Sequence, residues 1–307
     1  MNKKLSLTLV LISIVITSCV IFYAFYNKRN FNSETPTSNK LFTQDVESKE
    51  LHFSFIVISD THLNLDAYQA LKTYLIDSRP SFIVHLGDHT NFGTIKELQQ
   101  AKKLLEELNT PYYTLAGDHD IAETSSMENY NKVFSLPVPF KIKELNISFL
   151  NNPYNVLPFK SAELSETKNS IFNADIILAS QPIFVDKDNF FSYKFMGSQD
   201  NIGNLSPGNQ SLLKIYSAQS KEILDTIRLS TKNKLIIGGD HHRSATYTDP
   251  TNRLLTYHVV GALSKSIYLG SKEIPQKSLQ SQRFSVIKVF KYENGFEYTI
   301  SEQIIDN

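Results

Sequence analysis

Residues 83–120 read IVHLGDHTNFGTIKELQQAKKLLEELNTPYYTLAGDHD. The apolar stretch Ser81 to Leu86 is strand-like and runs into Gly87-Asp88-His89. Thr94 to Leu108 follows as a helix. Thr94 and Glu97 have capping-box spacing, and Ile95, Leu98, Ala101, Leu105 and Leu108 recur along one apolar stripe. Tyr112 to Ala116 is strand-like again and runs into Gly117-Asp118-His119-Asp120. The segment is a strand–helix–strand unit, and both strands end in glycine, carboxylate and imidazole. Strands alternating with helices in this way predict an α/β fold.

The pattern continues on both sides. Upstream, LHFSFIVIS (51–59) is a strand rich in β-branched and aromatic residues, and it ends in Asp60-Thr61-His62. Ala67, Ala70, Leu71, Tyr74 and Leu75 then recur at helical spacing. Downstream, Phe140 to Leu150 reads as a hairpin turning near Asn146, and Asp175 to Ala179 as a strand. Gln210 to Leu229 reads as a long helix with Leu212, Ile215, Tyr216, Ile223 and Ile227 among its apolar positions. The strand Lys234 to Ile237 ends in Gly238-Gly239-Asp240-His241-His242. Leu254 to Val260 and Ser285 to Tyr292 are further strands, and Asn294-Gly295 is a hairpin-turn signal. Hairpins after alternating units imply a mixed sheet.

The polar residues gather where ligands bind in such folds, beyond the carboxyl ends of strands. Five of the eight histidines (His62, His89, His119, His241, His242) fall in these loops, and three of the eleven glycines directly precede an aspartate there. Each such glycine is expected to permit a tight turn that aims the next carboxylate inward. Asp60, Asp88 and Asp118 are 28 and 30 residues apart, room for one loop–helix–strand unit each. Taken singly, Asp-x-His or Gly-Asp is an ordinary turn; it is the ordered recurrence after apolar strands that carries information. Converging carboxylates repel one another unless a cation sits among them, and carboxylate with imidazole suits zinc, iron or manganese. His85 reads as a core residue, His52 and His258 as structural, His89 as a neighbour of the site, and Arg243 as a candidate phosphate contact. Gly-x-Ser-x-Gly and P-loop motifs are absent from the sequence, which argues against a serine hydrolase and a P-loop nucleotide hydrolase. One cysteine leaves no intrachain disulfide and no cysteine zinc cage.

The order Asp-x-His, Gly-Asp, Gly-Asp-His-Asp and a terminal Asp-His-His resembles the calcineurin-like metallophosphoesterases over nearly all of Leu51 to Ser301. The resemblance implies a β-sandwich of mixed sheets flanked by helices. It implies hydrolysis of phosphomonoesters or phosphodiesters by metal-bound hydroxide between two divalent ions. It implies that Asp60, His62, Asp88 and His242 hold the first ion and that Asp88 bridges to the second. His119 would then contact the phosphate or protonate the leaving oxygen, with Asp120 orienting it. The second site departs from the family. Asp118 stands for Asn, Ser180-Gln181-Pro182 for His-x-Pro, and Asp240 for a further His. No nitrogen ligand remains there unless His241 supplies one. An oxygen-rich second site favours magnesium, manganese or calcium over zinc. A catalytically degenerate, phosphate-binding relative is the other outcome this divergence allows.

Leu5 to Tyr26 is a 22-residue run without charge, flanked by Lys3, Lys4, Lys28 and Arg29. Its length matches a ~30 Å hydrocarbon core. It reads as a single-pass membrane anchor (residues 1–30), with the following domain expected outside the cytoplasm. A lipoprotein modified at Cys19 and a cleaved signal are the alternatives; the run is longer than a signal core and shows no small-residue cleavage site. Residues 31–50 are polar and read as a tether to a domain at 51–307. Overall 31 basic residues balance 31 acidic ones, which argues against nucleic-acid binding mainly by charge; the sequence gives no sign of oligomeric state. That neutrality is the sum of a +4 anchor and a −4 remainder, and Asp60, Asp88, Asp118, Asp120 and Asp240 contribute to the latter.

Overall fold

The computed structural model describes residues 50–153, 158–185, 196–197, 207–269, 272–292 and 295–305. The apolar run 5–26, Cys19 and the tether up to residue 49 lie outside them. Among the described residues no helix is long and apolar enough to cross a membrane.

Two mixed sheets face each other. The first has strand order β13-β12-β1-β2-β3, with β1 Glu50–Ile58, β2 Ile83–His85, β3 Tyr112–Thr114, β12 Arg283–Tyr292 and β13 Gly295–Ile304. In it β1 runs parallel to β2 and antiparallel to β12. The second has order β4-β5-β6-β7-β9-β8, with β4 Phe140–Ile142, β5 Leu145–Leu150, β6 Ile176–Ala179, β7 Lys234–Gly238, β8 Ala245–Thr248 and β9 Leu255–Val259. A separate hairpin joins β10 Ser266–Leu269 to β11 Lys272–Pro275.

The continuous apolar reading of β1 has a simple cause. Phe55 and Val57 point between the sheets, against Val84, Ile147, Ile176 and Leu235. Ile56 and Ile58 point the other way, under the helices α1 Leu65–Ser78 and α2 Ile95–Glu106. A strand covered on both faces shows no polar alternation. The second sheet is covered likewise by α4 Ser161–Asn173 and α5 Pro207–Arg228, through Ile171, Tyr216, Ile223 and Ile227; α3 Glu128–Val133 is a short helix between the halves. The layers are therefore helix, sheet, sheet, helix.

Local signals hold where they are chemical. Thr94 caps α2, accepting from the Glu97 amide while Glu97 accepts from the Thr94 amide. Three details differ from the sequence expectation. In α5 the buried positions are Leu213, Tyr216, Ser220, Ile223 and Ile227, whereas Leu212 and Ile215 face outward, because the buried stripe alternates steps of three and four from Leu213. The β4–β5 turn falls at Lys143-Glu144 rather than near Asn146, since Ile142 pairs with Leu145; Asn146 instead donates its amide to Asp175. Gly295 is not a turn centre but opens β13, opposite Tyr292.

His258 stitches the two sheets together. Its Nδ1 lies 2.8 Å from Thr246 Oγ1 on β8 and its Nε2 2.7 Å from Ser285 Oγ on β12. Burial lowers its pKa from 6.5 to about 4. A histidine held neutral in the fold binds its proton only after unfolding, so its contribution is present above pH 6.5 and is lost as pH falls toward 4. From pH 7.5 to 5 this costs about 2 kcal/mol. Urea unfolding of His258→Gln against wild type at both pH values is expected to show a shallower pH dependence in the variant by that amount; equal dependence would place the titration elsewhere.

Candidate metal centre

Four loops leave the sheets at one end of the sandwich, and backbone hydrogen bonds lock the first two of them side by side. The Asp60 amide donates to Gly87 O, the His62 amide to Asp88 O and the Leu63 amide to His89 O, at 3.1, 3.1 and 2.9 Å. The backbone pays for this convergence in conformation: Asp60, His62, Asp88, Asp240 and His242 all have left-handed φ, between 45 and 69°. Each such non-glycine residue costs ~1–2 kcal/mol, and strain of this kind concentrates at functional sites. Glycine provides room nearby. A Cβ on Gly117 would stand 2.0 Å from Asp88 Oδ1, so this glycine admits the Asp88 carboxylate rather than aiming Asp118. Gly87, at φ +127, does serve the turn before Asp88.

Asp60, His62, Asp88 and His242 each place one donor atom so that all four lie within 4.8 Å of one another. Asp88, Asp118 and His119 form a second such group and share Asp88 with the first. Three imidazoles are fixed in the same sense. His62 Nδ1 donates to Thr90 O at 2.8 Å, and His119 Nδ1 to Asn91 O at 2.8 Å. His242 Nδ1 lies 3.2 Å from Gln276 Oε1, and Gln276 Nε2 donates back to His242 O. Nε2 is thus left free to face the carboxylates; that of His242 is 3.3 Å from Asp60 Oδ1. Outer partners of this kind orient metal-binding histidines.

The electrostatics call for a cation. Burial, and then the charges of Asp118, Asp60, Asp120 and Asp240, push the Asp88 carboxyl well above its ordinary range. Burial, with His119 and His242 nearby, lowers His62 to about 4 and keeps its lone pair available. Two carboxylates and two imidazoles fit a divalent transition metal by donor chemistry. The second group is richer in oxygen.

Several expected roles change. Asp120 does not hold His119. Its buried carboxylate accepts from the amides of His89, Thr90 and Gly117 and from Thr90 Oγ1, at 2.9–3.2 Å. It clamps the two loops that carry Asp88 and Asp118. His119 joins the second donor group and brings to it a nitrogen that motif comparison did not assign there. Asp240 is in neither group; its amide donates to Asp60 Oδ2 at 3.2 Å and its charge acts on Asp88. Ser180 and Gln181 are buried, with their amides held by Asn152 Oδ1, and Ser180 Oγ and Gln181 Oε1 make no hydrogen bond among the described residues. His89 turns away from the site. It stacks on His85 at 3.6 Å and donates to Leu115 O. His85 accepts from the Gly87 amide and bonds Thr61, in keeping with a core role. Thr90, Asn91 and Gln276 went unrecognised in the sequence; two of them act through backbone carbonyls, which carry no side-chain signal.

The family model described as calcineurin-like phosphoesterase matches residues 53–244, well over half of the chain. No curated protein matches the sequence significantly. Among solved structures, the chain is similar to a dimetal phosphatase from Danio rerio, with 12% identity, 82% of this chain and 99% of that chain covered, and TM-score 0.49. It is similar to the phosphoesterase Yfce from E. coli at 10% identity, with 82% and 100% covered and TM-score 0.37. It is also similar to Vacuolar Protein Sorting 29 from Cryptosporidium parvum at 11% identity, with 83% and 100% covered and TM-score 0.36.

Proposed function

Because the chain belongs to the calcineurin-like phosphoesterase family, we propose that it is a metal-dependent phosphohydrolase of phosphomonoesters or phosphodiesters, tethered to a membrane through residues 5–26. The observation that carries this reading is the pair of donor groups meeting at Asp88. In the proposal Asp60, His62, Asp88 and His242 hold one divalent ion. Asp88 and Asp118, helped by Asp240 and the oxygens of Ser180 and Gln181, hold a harder one such as manganese or magnesium. Bound there, such ions supply Lewis acidity toward phosphoryl oxygens and lower the pKa of water.

The chain's own groups do the remaining work. The carbonyls of Thr90 and Asn91 keep His62 and His119 in the tautomer that presents Nε2. His119, at the edge of the second group, turns Nε2 toward the phosphate, where it contacts a phosphoryl oxygen or, as the imidazolium, gives a proton to the leaving oxygen. Arg243, next to His242, offers a bidentate guanidinium to the phosphate. The tether joins the domain at Glu50, the far end of β1 from Asp60, roughly 30 Å away along a nine-residue strand. In this proposal the tether holds the domain outside the cytoplasm.

Assay of the purified full-length chain in detergent tests the proposal. An aryl phosphomonoester and a phosphodiester would be offered with manganese, zinc or magnesium in turn. Turnover that needs an ion and stops on chelation is expected; no turnover with any ion would defeat the proposal.

A further inference from the structure

We propose that Gln276 is a positioning residue for the first cation site: it fixes His242 in place and so sets the affinity of that site, while the second site is held by other means. The proposal rests on the metal-site reading above. It adds to that reading a residue beyond the matched segment 53–244 that controls one ion alone.

The side-chain amide of Gln276 can lie only one way. The residue is 1% exposed, and its Nε2 donates to His242 O at 2.6 Å and to Gln280 O at 3.2 Å. Carbonyl oxygens only accept, so a reversed amide would set oxygen against oxygen twice. Oε1 must therefore face His242 Nδ1, at 3.2 Å, and an acceptor there calls for a proton on Nδ1. Ser264 Oγ, 3.4 Å from the same nitrogen, can accept as well. The neutral ring then keeps the Nε2 lone pair for a cation. His62 and His119 are held in the same sense by main-chain carbonyls, which no substitution removes. His242 is held by side chains, so its restraint can be deleted.

Gln276 grips the main chain as well as the ring. His242 has φ 54°, a conformation that persists only where the surroundings over-determine it. The bond to His242 O bears directly on that residue, and two residues on, the Ser244 amide donates to Gln280 Oε1 at 2.6 Å. Gln276 and Gln280 belong to one turn, closed by the Gln280 amide on Gln276 O at 3.0 Å. The turn is itself anchored. The Gln276 amide donates to Lys265 O at 2.9 Å, and Gln282 Nε2 donates to Leu263 O and Ser264 O at 2.9 and 2.6 Å. Leu263 O also accepts from Asn64 Nδ2, and the Leu263 amide donates to Ser59 O. This strap joins the loop of His242 to the loop of Asp60 and His62, and those three residues with Asp88 make up the first donor group. Asp118 and His119 stand in the loop that Asp120 fastens through the Gly117 amide.

Manganese calorimetry on the full-length chain, wild type beside Gln276→Met, tests the proposal. Methionine fills a similar space and removes all three side-chain hydrogen bonds. One of the two sites should weaken by roughly 10–100-fold, the usual effect of losing an outer partner, and the other should keep its wild-type affinity. Zinc-loaded protein carrying ¹⁵N-histidine identifies the site by NMR. The Nδ1–H signal of His242 should shift or exchange away while those of His62 and His119 stay, which a general loss of stability would not produce. Gln280→Met leaves the ring contact intact and should weaken the same site less; it decides the matter if Gln276→Met does not fold. Equal weakening of both sites, or of neither, in whichever variant folds would overturn the proposal. If wild type binds no ion, the metal reading fails separately. Deuterium uptake by the metal-free protein then decides the hold on His242: faster uptake across 240–244 in the variant supports it, and unchanged uptake refutes it.

Discussion

Replacing Asp88 by Asn is expected to lower phosphoester turnover by at least ~10³-fold, at or beyond the top of the range for deleting one electrostatic contact in a reacting centre. The fold should survive. The carboxamide oxygen of the variant can still accept from the His119 amide, the bond that Asp88 Oδ1 makes at 3.0 Å. In metal-free protein the variant should be as stable as wild type or more so. Burial and four neighbouring aspartates disfavour the ionised Asp88, and the amide removes one charge from that cluster. With metal present the order should reverse, because a cation that binds only the folded wild type stabilises it by mass action. Thermal unfolding with and without manganese reads both signs. A variant that is less stable without metal, yet gains as much from manganese as wild type, would contradict the placement of Asp88 at the junction of the two groups.

Asp120→Asn should show a different profile. Asp120 touches no reacting group in the structure, but its carboxylate accepts four hydrogen bonds from two loops. The amide turns NH₂ toward N–H donors that require an acceptor. Bonds to a buried charged group are worth roughly 1.5–3 kcal/mol each, so the loss should be about 3–5 kcal/mol. Thr90 moves with it, and Thr90 O holds His62. Metal affinity should therefore fall by roughly 10–100-fold, the usual effect of disturbing an outer partner. Urea unfolding and manganese titration measure the two effects. Wild-type stability with a selective loss of turnover would instead restore Asp120 to a direct role beside His119.

These two aspartates also mark how far the sequence can be read. Asp88 is legible because its chemistry is written locally: an apolar strand ending in a carboxylate, which recurs at Asp60 and Asp118, with a glycine directly before Asp88 and Asp118. Asp120 is recognisable as a site residue, but its partners are backbone amides 30 and 31 residues away, and amides leave no trace in composition. Gln276 is 34 residues from the His242 it holds and lies beyond the matched segment 53–244. His89 follows Asp88 directly, yet its ring goes to the core because His85 and Phe134 offer stacking surfaces there. The fold divides along the same line. Thr94 and Glu97 announce the start of α2 because capping is local. The outward turn of Leu212 and Ile215 depends on which face of α5 meets the sheet, which is a tertiary matter.

The central claim is that two cation sites share one carboxylate. Calorimetric titration of manganese into the full-length chain, wild type beside Asp88→Asn, tests it most directly. The expected result is two ions per wild-type chain and a loss of affinity at both sites in the variant, since Asp88 belongs to both groups. Binding by Asp88→Asn with wild-type stoichiometry and affinity would contradict it.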